Sequence, residues 1–172
     1  VERGVQSVMT AHIAYPGIST NYGRPATMDP SILNRILVDS LSFDGLIVTD
    51  GLDMNGITDH YSPGEAVVES LLAGADIMLI SPDIKTAIAE VERAVLSGRI
   101  SEKRIDRSVL KMLTYKHQYG LFENRFVETE TLTRTINTPS FQRVAERIAR
   151  ESVTLLRDEK GLLPIGKNQY QN

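Results

Sequence analysis

The chain has 172 residues, 41% hydrophobic and 24% charged, with a formal net charge of −3. That is the composition of a folded domain with a real core, and the absence of a basic patch argues against a nucleic-acid partner. There is no cysteine, hence no disulfide, thiol nucleophile or thiolate metal site, and no run approaches the roughly 18 to 20 apolar residues that span a bilayer.

The opening residues Val1-Glu2-Arg3-Gly4-Val5 carry no apolar signal-peptide region, and the chain does not begin with methionine. It passes almost at once into a strand-like run, so it is expected to be a fragment of a longer protein. Val8 to Ile13 is predicted as the first strand, closed by a polar turn through Pro16-Gly17-Ile18-Ser19-Thr20. A loop from Asn21 to Pro30 leads into a helix with proline in its first turn, whose apolar face is Ile32, Leu33, Ile36, Leu37 and Leu41.

The second strand is predicted over Gly45 to Thr49. Pro63-Gly64-Glu65 opens a helix that stops near Gly74, and Ile77-Met78-Leu79-Ile80 is the third strand. Ile84, Ala87, Ile88, Val91 and Val95 recur at helical spacing. A long amphipathic helix then starts near Ser101, with Ile105, Val109, Met112 and Leu113 on its stripe. Alternating βα units imply an α/β fold with a parallel sheet, doubly wound or closed as a barrel. Three strands cannot close a barrel, so a piece of something larger is expected. Leu121 to Pro139 is polar and rich in threonine, as in a linker, and a last helix has Phe141, Val144, Ala145, Ile148 and Ala149 in phase.

Residues 43–54, Phe-Asp-Gly-Leu-Ile-Val-Thr-Asp-Gly-Leu-Asp-Met, are the most informative segment. Leu46-Ile47-Val48 is too short for a helix and too apolar for an edge, so it is expected to be a strand buried on both faces. Asp50 then falls where a parallel strand leaves its sheet, the place where α/β enzymes put their chemistry. Asp-Gly is also a common turn pair, and the segment alone fits a turn as well as a catalytic carboxylate.

Five segments in order carry a family resemblance: Val8-Met9-Thr10-Ala11-His12; Pro25-Ala26-Thr27; Phe43 through Met54; Ala73-Gly74-Ala75-Asp76-Ile77-Met78-Leu79; and Ala149 through Leu156 with Gly161-Leu162-Leu163-Pro164. Together they resemble glycoside hydrolase family 3. The resemblance implies that 1–120 form the C-terminal part, about strands six to eight, of a (β/α)8 TIM barrel. It implies an interdomain linker and helix over 121–150 and the beginning of an α/β sandwich domain over 151–172. Ala11-His12 is similar to the β-N-acetylglucosaminidase branch, where β-glucosidases usually show a Ser-Tyr-Asn type sequence.

The resemblance further implies a retaining glycosidase in which Asp50 is the nucleophile that forms a glycosyl-enzyme. His12 and Met54 are expected on the substrate side, with a core histidine and core packing as their plain alternatives. Asp53 is expected in a structural role, orienting the loop after Asp50 or capping the next turn. The acid/base of that branch resembles a His-Asp pair on a loop upstream of the present first strand, and no matching segment occurs here. The isolated chain is therefore expected to be inactive on unactivated substrate.

The implied partners are a carbohydrate substrate and either the N-terminal part of the barrel or a second copy of the chain. The implied location is periplasmic or secreted in a bacterium. No cofactor is expected: no Gly-rich phosphate loop follows a strand, and the three histidines have no ligand spacing, so no metal site is expected either. The alternatives weighed are a family 3 β-glucosidase or β-xylosidase, a non-catalytic carbohydrate-binding remnant, and an unrelated barrel enzyme such as an aldolase. The last would want a strand-end lysine, whereas the strand ends here offer histidine, aspartate and serine.

Overall fold

A computed structural model of the chain describes residues 4–19 and 23–164. The chain divides into two compact units, residues 1–123 and 124–172. The expected turn residues Thr20, Asn21 and Tyr22, and residues 165–172 of the expected second domain, lie outside the described residues.

The first unit is built on a three-stranded parallel sheet in the order β1 (Ser7–Met9), β2 (Leu46–Gly51), β3 (Ile77–Leu79). Ser7, Val8 and Met9 pair with Leu46, Ile47 and Val48. Between them run a π-helix (Ser31–Ser40), a single turn α1 (Asn55–Thr58) and helix α2 (Pro63–Ala73). Helices α3 (Ile84–Leu96) and α4 (Glu102–Gln118) follow β3. The starts obey ordinary capping chemistry: Ser62, Asp83 and Ser101 each accept a backbone N–H of the first turn.

The helices cover one face of the sheet. Ile47 packs with Leu33, Phe43, Ala73 and Ala75, while Leu46, Val48 and Asp50 alternate to the other face and are half-buried. Met9, which pairs with Val48 and so points the same way, is 58% exposed. The expectation of a strand buried on both faces is therefore met on one face only. Among the described residues nothing layers over the other, although its side chains are those of a core.

Gly45 shows why the Phe-Asp-Gly stretch precedes β2. A Cβ there would run into the Gln6 carbonyl and come within 2.6 Å of the Phe43 ring, so only glycine lets β1 and the buried Phe43 close on this point. The helix after β1 also departs from expectation in its winding. The Leu41 N–H donates to the Ile36 carbonyl at 2.9 Å, an i to i+5 bond. This wider winding brings Val38 beside Leu33 and Leu37 against the sheet and turns Leu41 outward.

One buried carboxylate joins β2, β3 and α4. Asp76, at the start of β3, gives its backbone N–H to the Ile47 carbonyl (2.7 Å) and takes the Ile47 N–H on Oδ2 (3.1 Å). Its other oxygen accepts the Ser108 hydroxyl. Lys111 Nζ bridges Asp76 Oδ2 (3.2 Å) and the Gly45 carbonyl (2.9 Å). Arg104 Nη1 stands 3.7 Å from Asp76 Oδ1, and the rest of its guanidinium donates to the Leu71 and Ala75 carbonyls. Burial, with repulsion from Arg107, draws the Arg104 guanidinium below its ordinary value, and Asp76 pulls it back up.

In the second unit, α5 (Thr129–Thr135) falls within the segment expected to be a linker, and α6 (Pro139–Ser152) is the expected last helix. Thr131 and Thr135 turn their hydroxyls back onto the Glu128 and Thr131 carbonyls, which lets threonine sit in a helix. Phe141, Val144 and Ile148 form an exposed apolar stripe on α6. Residues 153–164 form no helix or strand. There the Asp158 carboxylate accepts the Leu162 (2.9 Å) and Leu163 (3.0 Å) amides and is thereby held below its ordinary value.

Replacing Asp76 by alanine strands two cations against the sheet and is expected to cost about 3–5 kcal/mol. Urea unfolding of the two proteins measures this, and an unchanged midpoint would show that the cluster does not hold the sheet.

Candidate active site

The site is built where β2 leaves the sheet. From Val48 to Gly51 the chain spends one residue more than its partner does from Ile77 to Leu79, so β2 bulges at Thr49–Asp50. The fully buried Thr49 bridges the irregularity, its hydroxyl accepting the Leu79 N–H at 3.0 Å. The ladder resumes with Leu52 N–H to the Leu79 carbonyl at 3.0 Å. A bulge of this kind re-aims a side chain at a strand end.

Asp50 is the penultimate residue of β2 and half-buried. Its Oδ1 accepts the Gly51 N–H at 2.8 Å. Among the described residues its Oδ2 makes no hydrogen bond. A Cβ at Gly51 would come within 2.7 Å of Asp53 Oδ1 and 3.6 Å of the Ile80 side chain, so the exposed Asp53 carboxylate would swing aside to admit one.

Asp53 lies exposed over Gly51 and does not cap the following turn, whose N-cap position belongs to Met54. Met54 is 48% exposed, and its carbonyl accepts the Ile57 and Thr58 amides. Ile80, 65% exposed, has a φ of 46°. A β-branched residue in that region is strained, and here it stands at the end of β3 beside Gly51.

The loop after β1 supplies the other wall. The strand was expected to run to Ile13 but leaves the ladder after the Thr10 N–H meets the Val48 carbonyl at 2.8 Å. Residues 11–14 turn aside because they pair with the returning chain: Ala14 bridges Pro25, and the Ala26 N–H donates to the Ile13 carbonyl at 2.9 Å. This places the short 3-10 turn Ala26–Met28 against His12. His12 is half-buried, with Nδ1 2.9 Å from the Thr27 hydroxyl and Nε2 2.8 Å from the Gly51 carbonyl. Both ring nitrogens are therefore occupied within the protein.

Asp29 anchors that return. It is buried, and its Oδ1 accepts the Ser31 N–H at 2.8 Å while its carbonyl accepts the Ile32 and Leu33 amides. Burial alone would raise its carboxyl, but hydrogen bonds from Ser19 and Ser31 and the charge of Arg24 outweigh this and hold it below the ordinary 3.8. Arg24 in turn pairs with Glu69 of α2, as does Arg99.

Asp50, Asp53, Met54 and His12 thus gather at one end of the sheet, as the sequence suggested. Thr27 and Ile80 belong to the same end and were not singled out; Thr27 stood only within the Pro-Ala-Thr motif. His60 is exposed over a separate depression with Arg24, Tyr61, Glu65 and Glu69. His117 is exposed on α4 beside Phe122. An apolar groove of about 460 Å³ lies between β3, α3 and α4, lined by residues including Met78, Ile80, Ile84, Ile88, Val109 and Met112, and Asp50 takes no part in it.

The profile described as the glycosyl hydrolase family 3 N terminal domain matches residues 1–115. The solved structure of a glycoside hydrolase family 3 β-N-acetylglucosaminidase from Paenibacillus sp. str. FPU-7 is 38% identical with a TM-score of 0.77, over 92% of this chain and 30% of that one. A β-N-acetylglucosaminidase/β-glucosidase of Cellulomonas fimi is 28% identical over 99% of this chain and 32% of its own length. A β-xylosidase of Formosa agariphila is 30% identical over 99% of this chain and 24% of its own. The chain thus spans about a third or less of the relatives it matches.

A carboxylate whose folded value is depressed gives stability that is present above its unfolded value and lost as pH falls through the folded one. The stability gap between the native protein and Asp29→Asn is therefore expected to narrow as pH drops below about 4. Urea unfolding at pH 7 and pH 3 tests this, and a gap that widens in acid would contradict it.

Proposed function

Because the chain belongs to glycosyl hydrolase family 3, whose N-terminal domain is a TIM-type barrel, we propose that it carries the nucleophile of a retaining glycosidase, Asp50. The reading holds that the whole enzyme removes terminal β-N-acetylglucosamine from cell-wall or chitin-derived glycans. The observation that carries it is the Asp50 carboxylate itself. It stands on a bulged strand end, one oxygen held by the Gly51 amide and the other without a hydrogen bond among the described residues.

In a retaining mechanism the other oxygen attacks the sugar carbon as a proton donor releases the aglycone, and water then cleaves the glycosyl-enzyme. That chemistry needs a carboxylate fixed against the sheet, which β2 provides. Met54 offers exposed apolar surface beside it for the sugar. The proton donor comes from another part of the barrel, so the 172-residue chain is inactive by itself. Ala11-His12 and the Paenibacillus structure support the N-acetylglucosaminide; the Formosa relative is why β-xylosides belong in the test.

The uncovered inner face of the sheet and the apolar groove beside β3 are the surfaces on which the rest of such a barrel docks. Their open area suits a second layer of core and not water.

Assayed on nitrophenyl β-glycosides, the full-length protein is expected to prefer the N-acetylglucosaminide, and preference for the glucoside or xyloside would overturn the substrate assignment. Asp50→Asn is expected to lower kcat by about a thousandfold or more. The native mass of the isolated chain is expected to exceed 19.1 kDa through association with its other half or with itself. A dilute 19.1 kDa monomer that unfolds cooperatively would count against the docking surfaces.

A further inference from the structure

Thr27 is fully buried at the crossing of several polar contacts that reach from the loop after β1 to the end of β2. A carbonyl oxygen only accepts, so the 2.8 Å contact between His12 Nε2 and the Gly51 carbonyl puts the ring hydrogen on Nε2. In the neutral ring Nδ1 is then an acceptor, and the donor within reach is the Thr27 hydroxyl at 2.9 Å. With its hydrogen directed at Nδ1, Thr27 Oγ1 is left to accept from the Thr10 hydroxyl 3.0 Å away. Thr27 has one hydrogen to give, and the Ala11 carbonyl at 3.1 Å is the other acceptor within its reach.

Gly51 is the residue whose N–H holds Asp50 Oδ1. Its carbonyl is what His12 grips. We propose that Thr27 and His12 are positioning residues: the Thr27 hydroxyl fixes the tautomer and tilt of His12, His12 fixes the Gly51 peptide, and the Gly51 amide fixes the Asp50 carboxylate. The inference rests on the reading of Asp50 as nucleophile. It replaces the substrate-side role expected of His12, since a sugar hydroxyl could reach either nitrogen only by displacing Thr27 or Gly51. It also gives the Pro-Ala-Thr segment a purpose, for Pro25 and Ala26 close the loop so that Thr27 lies beneath the imidazole.

The test is a set of variants of the full-length enzyme, assayed on nitrophenyl β-N-acetylglucosaminide with Asp50→Gly and azide in the same series. Thr27→Val, which keeps the shape and removes the hydroxyl, and His12→Ala are expected to lower kcat about 10- to 100-fold. KM should stay within about threefold in both, because no substrate contact is lost. Thr27→Ser and His12→Gln, which restore a hydroxyl and a donor, are expected to recover most of the rate. Asp50→Gly is expected to regain activity with azide as an external nucleophile.

If azide rescues Asp50→Gly while Thr27→Val turns over like the parent, the relay is wrong and the nucleophile stands. A rise in KM at constant kcat for His12→Ala would make His12 a substrate contact and overturn the relay. If Asp50→Gly keeps its activity, or azide restores none, the nucleophile reading falls and the relay with it. Nitrogen-15 NMR of the imidazole covers the case in which Thr27→Val does not fold. The proposal requires a hydrogen on Nε2 of His12 and none on Nδ1, and a ring carrying a hydrogen on Nδ1 contradicts it.

Discussion

The Asp76 carboxylate is the point from which the rest of this fold is measured. It takes the Ile47 amide while its own amide goes to the Ile47 carbonyl, so β2 and β3 cannot slide past each other at that end. A slip of one residue would turn every side chain of β2 to the opposite face and carry Asp50 from the open side to the helix side. Arg104, Ser108 and Lys111 reach the same carboxylate from α4, so one buried charge sets both the strand register and the seat of a helix. Buried ion pairs contribute little net stability against an apolar alternative; what this one secures is which alignment the sheet adopts.

The two ends of the sheet are therefore unlike. At the Asp76 end the strands are closed by charge and packing. At the other the ladder breaks into a bulge, the Thr49 hydroxyl oxygen accepts the Leu79 N–H across the gap, and Ile80 takes a strained backbone angle. This is the division of labour of parallel α/β barrels, with stability at the amino ends of the strands and chemistry at the carboxyl ends. Asp50 stands at the carboxyl end of its strand, and the face it occupies depends on the register set at the other end.

What could be read from the sequence follows from the range of the interactions. The βα alternation, the helix start near Ser101 and the placement of Asp50 at a strand end are local, set by neighbours a few positions away. The early end of β1 was hidden because Ile13 and Ala14 find their partners across a loop, in Pro25 and Ala26. Thr27 showed itself only as part of a motif, since its meaning lies in the histidine fifteen positions before it. Asp76 sat in plain view within Ala-Gly-Ala-Asp, yet its partners come from Ile47 and from α4. The threonine-rich stretch read as linker contains a short helix, in which the Thr131 and Thr135 hydroxyls turn back onto the chain's own carbonyls. The wide winding of the Ser31–Ser40 helix left no mark on the periodicity.

Asp50 stands on the face of the sheet that no helix covers among the described residues. Trapping settles whether its carboxylate is the nucleophile. The full-length enzyme would be inactivated with an activated fluorosugar, digested and fragmented by mass spectrometry. The account predicts one added glycosyl group on Asp50; a label on Asp53 or any other carboxylate would contradict it.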